Sequence, residues 1–258
     1  MNYLTDYYET HDEDGRLSLS KHGQVEFLTT MKYLHDYLTP GMRVLEIGAG
    51  TGRYSLTLAR EGFRVHAIEL IQHHLDILRS KVIPGDDIVA EQGNALDLSR
   101  FPDGSFDAAL LLGPMYHLYG DEDKIRALSE ARRVTKPGGM LFVAYCMNEA
   151  SVIVFGFQRG NMPDLLAKDM LTEDFHCITR PVDVFEMVRT EDIARLNAAV
   201  GLERLKLVAT DGATLYMRET VDAMDDETFT LWMRYHFATC ERQDLIGASN
   251  HALDVLRV

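Results

Sequence analysis

Residues 43–55 read RVLEIGAGTGRYS, a short apolar run that takes in Glu46 and is followed by three glycines in five positions, Gly48, Gly50 and Gly52. A glycine-rich turn between a strand and a helix brings bare main chain close to a ligand, because no Cβ intervenes. A dinucleotide asks for G-x-G-x-x-G, with its pyrophosphate on the helix N-terminus that follows. Here the third glycine comes one residue early, and Arg53 stands where that pattern wants Gly or Ala. Glu46 sits two residues before the first glycine. A carboxylate there gains nothing from a pyrophosphate and gains from a cation.

Other side chains offer chemistry farther along. His117, in LLLGPMYHL, belongs to the residue type that titrates near neutral pH and is the candidate general base. A purely local role, bonding and shaping its own loop, explains it equally well. Tyr116 either packs against a ligand or caps the core. Tyr54 either faces the ligand or packs in its helix. His236 and Cys240 have the i, i+4 spacing of metal ligands, but no third ligand accompanies them, so a helix facing the core is expected and no metal. His73-His74 reads as structural, on a surface helix. Cys146, Cys177 and Cys240 form no CxxC pair and read as free thiols. Arg132-Arg133 is too short for a basic patch and reads as part of a solvated helix face.

The elements that must position these groups alternate. Strands are expected at 43–47, 64–70, 87–92, 106–112 and 140–147, then at 202–209 and 251–258. Helices are expected at 51–61, along the stripe Ile71, Leu75, Leu78 and Val82, at 121–134, from Thr190 as N-cap to Gly201, and around Phe229 to His236. Phe27, Met31, Leu34 and Leu38 make another helical stripe near the N-terminus. Pro137-Gly138-Gly139 reads as a turn before the fifth strand. The fold class is therefore α/β, doubly wound around a mostly parallel sheet with helices on both faces. Such sheets bind ligands at the carboxyl ends of their strands. A single domain over 1–258 is expected, with an N-terminal arm and helix (1–39), a ligand-binding core (40–147) and lid-like insertions at 148–189 and 211–249. Tyr8, Arg16 and His22 of the arm are possible contacts.

VLEIGAGTG resembles the first motif of class I S-adenosylmethionine-dependent methyltransferases, and the resemblance runs motif by motif over residues 40–147. It implies a seven-stranded sheet with an antiparallel last strand, and S-adenosylmethionine as cofactor. Glu46, Gly48, Ala49 and Gly50 then belong to the cofactor loop. Glu69, with Leu70 beside it, meets the ribose hydroxyls. Asn94 reaches the adenine amino group, with the Ala95 backbone alongside, and Leu112 opens the segment of cofactor and substrate contacts that holds Tyr116 and His117. The expected activity is methyl transfer to a small-molecule acceptor. The alternatives are a dinucleotide-dependent oxidoreductase and a non-catalytic module that only binds the cofactor. The net charge of −14 argues against nucleic acid. The lack of a long apolar run argues against a membrane span, and the polar N-terminus and unpaired cysteines suit the cytoplasm.

Overall fold

The first five apolar runs become parallel strands β1 (Arg43–Ile47), β2 (Arg64–Glu69), β3 (Ile88–Gln92), β4 (Phe106–Leu111) and β5 (Thr135–Met147). The computed structural model describes residues 3–10 and 13–258; positions 1, 2, 11 and 12, part of the expected arm, lie outside the described residues. After β5 come β6 (Met187–Val188), β7 (Glu203–Ala209) and β8 (His251–Arg257). The main strand order is β3-β2-β1-β4-β5-β8-β7, and β8 runs antiparallel to both of its neighbours. The two-residue β6 is an addition to the expected seven strands. It pairs with Cys146 and Met147, beyond the point where β4 stops pairing with β5 at Val143. From β1 the chain builds outward to β3, then returns to lay β4 on the other side of β1. That reversal opens a crevice at the carboxyl ends of β1 and β4.

Alternation along the strands divides the core into two layers, because successive side chains point to opposite faces. Leu45, Ile47, Ala109, Leu111, Leu141 and Val143 face one side, against α5 (Asp121–Val134) and α8 (Thr190–Val200). Val44, Val65, Ala108, Leu110, Phe142 and Val255 face the other, against α2 (Lys21–Tyr37) and α3 (Arg53–Arg60). The stripe Phe27, Met31, Leu34 and Leu38 is buried there as its spacing requires, and Ser20 caps α2 by accepting from Gly23 N. The remaining helices are α1 (Tyr3–Tyr8) in the arm, α4 (Gln72–Ser80) between β2 and β3, α6 (Asn148–Ser151) and α7 (Met162–Ala167) in the first insertion, and α9 (Arg218–Asp222), α10 (Asp226–Thr239) and α11 (Gln243–Ile246) in the second. A π-helical turn over Val152–Gln158 follows α6.

Several expectations change. The fifth strand begins at Thr135, so Pro137-Gly138-Gly139 is an irregularity within it, opposite a register shift between Phe106 and Ala108. Main-chain bonds to Val258 hold it there, from Gly138 N at 2.8 Å and into Gly139 O at 3.0 Å. The N-cap of α8 is Arg189 rather than Thr190, because Asp192 reaches back to accept from Arg189 N at 2.8 Å. Arg133 is no free solvated charge: it clamps Glu130, Asp103 and the carbonyls of Leu98 and Phe101. The i, i+4 pair at the end of α10, with Cys240 as its C-cap, faces inward as expected, His236 and Cys240 both being buried, and the Cys240 sulfur lies 3.3 Å from the Tyr33 hydroxyl. The three cysteines are free.

One buried charge ties the last strands together. The Asp254 carboxylate in β8 is fully buried and accepts from Arg204 at 2.7 and 2.9 Å and from Asn197 Nδ2 at 2.6 Å. Arg204→Ala strands that carboxylate. It is expected to cost about 3 kcal/mol in urea unfolding, near the low end for breaking a buried pair because Arg204 is partly exposed. A loss below about 1 kcal/mol would show that Asn197 alone satisfies the acid.

Candidate functional site

The loop after β1 is pinned to β2 before any ligand is considered, since Gly48 N and Ala49 N both donate to Ile68 O, at 2.8 and 3.0 Å. Its glycines answer to different demands. A Cβ on Gly48 would stand 2.9 Å from the Pro114 ring, and one on Gly52 would stand 2.7 Å from Leu78 Cγ. Those two serve the protein's own packing. A Cβ on Gly50 would meet nothing within 4 Å. Gly50 borders an open cleft of about 1030 Å³ at the carboxyl ends of β1, β2 and β4.

Two buried acids face this cleft. Glu69, at the end of β2, is 5% exposed, and each of its oxygens accepts a main-chain bond, Oε2 from Gly50 N at 2.7 Å and Oε1 from Ile71 N at 2.8 Å. Its carboxylate is thus held rigidly between the glycine loop and the start of α4. Burial raises its pKa, against these N–H donors. Glu46 is 1% exposed and accepts a short hydrogen bond from Ser55 Oγ. Burial, with the Glu69 charge adding to it and the Ser55 bonds opposing, pushes its pKa up to about 8. A carboxyl in that state gains strongly from a cation placed beside it.

The residues expected from the sequence gather around the same cleft. Glu46, Gly48, Ala49, Gly50, Glu69, Leu70, Asn94, Ala95, Leu112, Tyr116 and His117 all line it. Asn94 Oδ1 accepts from Leu96 N at 2.9 Å, an Asx turn that fixes the side chain after β3. Tyr116 and His117 sit on a tight helical turn begun by Pro114, and the Tyr116 hydroxyl donates to Leu112 O at 2.8 Å. Tyr54 also lines the cleft, packed against Phe27 at 5.3 Å between ring centres.

His117 departs from its expected chemistry. Its Nδ1 lies 2.9 Å from Val184 O and its Nε2 lies 2.9 Å from the Tyr8 hydroxyl. Burial, against the Val184 bond, lowers its pKa to about 4, so it is neutral at pH 7 rather than half charged. The arm supplies this partner. Tyr8 packs edge-on against His74 at 4.8 Å and His117 at 5.5 Å, and Asp14 is tied to Lys81 just after α4. Arg16 is held by Glu13 at 2.6 Å and by Glu26 at 2.6 and 3.2 Å, and His22 by Asp222 at 2.7 Å.

His74 corrects the surface reading of His73-His74, since it is buried and borders the cleft. The stripe Ile71, Leu75, Leu78 already carried that signal, because position 74 lies on the same helix face. A second group had no local signal. Beside the cleft lies another cavity, open to solvent and walled from the arm, from α2, from β5 and from both insertions. Along its wall Glu26, Asp211 and His251 bring ligand-type atoms within 4.8 Å of one another. His251 Nδ1 lies 2.9 Å from Asp211 and 3.3 Å from Glu26. Burial opposes its charge, yet the neighbouring acids hold its pKa well above the ordinary value. With Arg16, this imidazolium balances the acids as an ion-pair network.

Residues 44–139 match the family model described as a methyltransferase domain. A demethylmenaquinone methyltransferase of Lysinibacillus sphaericus is 31% identical over 133 residues, 50% of this chain and 53% of that protein. An S-adenosyl-L-methionine-dependent Diels-Alderase of Talaromyces variabilis is 36% identical over 106 residues, 40% of this chain and 35% of that protein. The chain thus spans about half or less of the length of these relatives. Among solved structures, a possible histamine N-methyltransferase from Thermotoga maritima shares the fold at TM-score 0.57 and 19% identity, covering 99% of this chain and 98% of its own.

Proposed function

We propose that this protein, whose core is a class I S-adenosylmethionine-dependent methyltransferase domain, moves a methyl group from S-adenosylmethionine to a small-molecule acceptor. The observation that carries the reading is the convergence of Gly50, Glu46, Glu69 and Asn94 on one cleft at the switch point of the sheet. The residues present fit the cofactor: open space stands over Gly50, a rigid carboxylate suits ribose hydroxyls, and a buried acid with raised pKa suits a positively charged ligand. Glu69, Leu70 and the loop from Gly48 to Gly50 would hold the sugar and its chain, with Asn94 and Ala95 at the base and Leu112 beside it. When bound, the cofactor supplies an activated methyl group on a cationic sulfur.

The protein's own contribution is alignment, which in well-oriented systems supplies up to about 7–11 kcal/mol of a barrier. Tyr116 and His117 stand where an acceptor would approach, and both insertions and the arm supply the surrounding walls. The acidic net charge and these walls favour a small molecule over a nucleic acid. Among the described residues no helix is long and apolar enough to cross a membrane, and with three free thiols we place the protein in the cytoplasm.

Calorimetry with S-adenosylhomocysteine and with NAD tests the reading. The first is expected to bind and the second not; the reverse would make the chain an oxidoreductase. Glu46 gives this titration a second readout. Without ligand, the stability that goes with protonated Glu46 is complete below the ordinary carboxylate range and is lost as pH rises through about 8. A cation brought near Glu46 lowers that pKa, so binding of S-adenosylmethionine near pH 7 should release up to about one proton. Titration in buffers of different ionisation enthalpy measures it, and Glu46→Gln should remove it. Binding without proton release would place the ligand's positive charge away from Glu46.

A second reading, that the cofactor binds and is not consumed, is favoured by the relative named as a Diels-Alderase. Label from methyl-labelled cofactor appearing in a metabolite extract decides for transfer. Tight binding with no labelled product decides for the second reading.

A further inference from the structure

The two cavities meet at a common wall, to which Tyr8, Glu13, Arg16 and Tyr116 contribute on both sides. Glu13 and Arg16 are paired with each other, and the Tyr116 hydroxyl is engaged by Leu112 O. The Tyr8 hydroxyl is different, because its hydrogen bond ends on a base.

The proton positions around His117 follow from its partners. A carbonyl only accepts, so Nδ1 carries the hydrogen that bonds Val184 O, which also accepts from the Tyr119 hydroxyl at 2.7 Å. The ring is neutral, so Nε2 bears a lone pair and the Tyr8 hydroxyl donates to it across 2.9 Å. Neither ring nitrogen is left to meet an acceptor directly. A proton reaches His117 through Tyr8.

We propose that the second cavity holds the methyl acceptor, a phenol or enol, and that Tyr8 passes the acceptor's proton to His117 Nε2. This rests on the methyl-transfer reading above. The acceptor O–H bond breaks and its proton joins the Tyr8 oxygen as the Tyr8 proton moves to Nε2. The acceptor oxygen keeps the electron pair that binds the methyl carbon, the pair of the old carbon–sulfur bond stays on sulfur, and the positive charge ends on the imidazole. Tyr8 is then a catalytic residue and His117 the terminal proton acceptor.

The chemistry of the pair selects oxygen over nitrogen. A hydroxyl becomes a very strong acid as its oxygen gains the methyl group, so even a buried imidazole with weakened proton affinity takes its proton. An amine attacks with a free lone pair, and its ammonium product holds its proton far too tightly for such a base. The cavity walls suit a ring: Tyr7 meets Phe185 edge-on at 5.4 Å, and Tyr116 lies 6.0 Å from the same ring. On the same wall Arg16 pairs with Glu26 and His251 with Asp211.

The test uses the full chain saturated with S-adenosylhomocysteine, histidine labelled with ¹⁵N, and 4-nitrophenol as probe. His117 is expected to show the neutral Nδ1–H tautomer. Tyr8→Phe should move the Nε2 resonance toward that of an unbonded ring nitrogen, with S-adenosylhomocysteine affinity within 3-fold of the parent. Saturating 4-nitrophenol should shift the His117 signals in the parent and not in Leu215→Trp, which fills the second cavity from a residue outside the first; Met187→Trp serves where that variant fails to fold. With methyl-labelled cofactor, Tyr8→Phe should lose at least 100-fold in transfer to phenols. An Nε2–H tautomer, His117 signals indifferent to 4-nitrophenol, or full phenol methylation by Tyr8→Phe overturns the proposal. Failure to bind S-adenosylhomocysteine instead overturns the reading beneath it.

Discussion

Gly50→Val is expected to raise the dissociation constant for S-adenosylhomocysteine by about 1,000-fold, about 4 kcal/mol, with the far-ultraviolet circular dichroism unchanged. The separation of the two effects comes from the loop geometry. At Gly50, which lines the cleft, an added Cβ meets nothing within 4 Å apart from its chain neighbours, whereas at Gly48 and Gly52 it would collide with Pro114 and Leu78. The main chain at Gly50 has φ +55°, which costs a side-chain-bearing residue about 1–2 kcal/mol. That strain falls on the fold and not on the ligand, so urea unfolding should register it separately. Gly50→Asn is the control for strain, because Asn adopts this conformation more readily. It should unfold closer to the parent and still bind poorly. Undiminished affinity in Gly50→Val would put the ligand away from this loop.

Glu69→Gln should lower S-adenosylhomocysteine affinity by about 100-fold and stability by about 1–3 kcal/mol, the usual penalty for a buried donor left unpaired. The carboxylate serves two N–H groups from two different loops, Gly50 at 2.7 Å and Ile71 at 2.8 Å. An amide has a single oxygen, so one of those donors must face an NH₂ group. The same change removes the charge that hydroxyl groups would donate to. Calorimetry and urea unfolding read the two losses. A stability loss with unchanged affinity would leave Glu69 as a brace for the loops and nothing more.

Much of the site was legible because its signals are local. The glycine run after β1, the acid at the end of β2 and Asn94 after β3 each follow a strand whose length and alternation mark its end. In a doubly wound sheet those ends share one edge, so sequence order alone brought Glu46, Glu69, Asn94 and Leu112 toward one place. His74 was within reach by the same logic, since helical spacing puts it on the face of Ile71 and Leu75.

Other features depend on distant chain. Tyr8 and His117 are 109 residues apart, and their hydrogen bond, together with the Val184 carbonyl, sets which nitrogen of the histidine can take a proton. The type of residue 117 promised a group titrating near neutral pH; burial beneath the arm lowered that to about 4. Glu26, Asp211 and His251 meet only because α2, the second insertion and β8 converge. Period and turn chemistry, written residue by residue, set the sheet, the strand edge that carries the cleft and most of the side chains that line it. Which glycine borders open space, and which way burial shifts Glu46 and His117, follow from the fold, because clearance and desolvation depend on atoms brought from elsewhere in the chain.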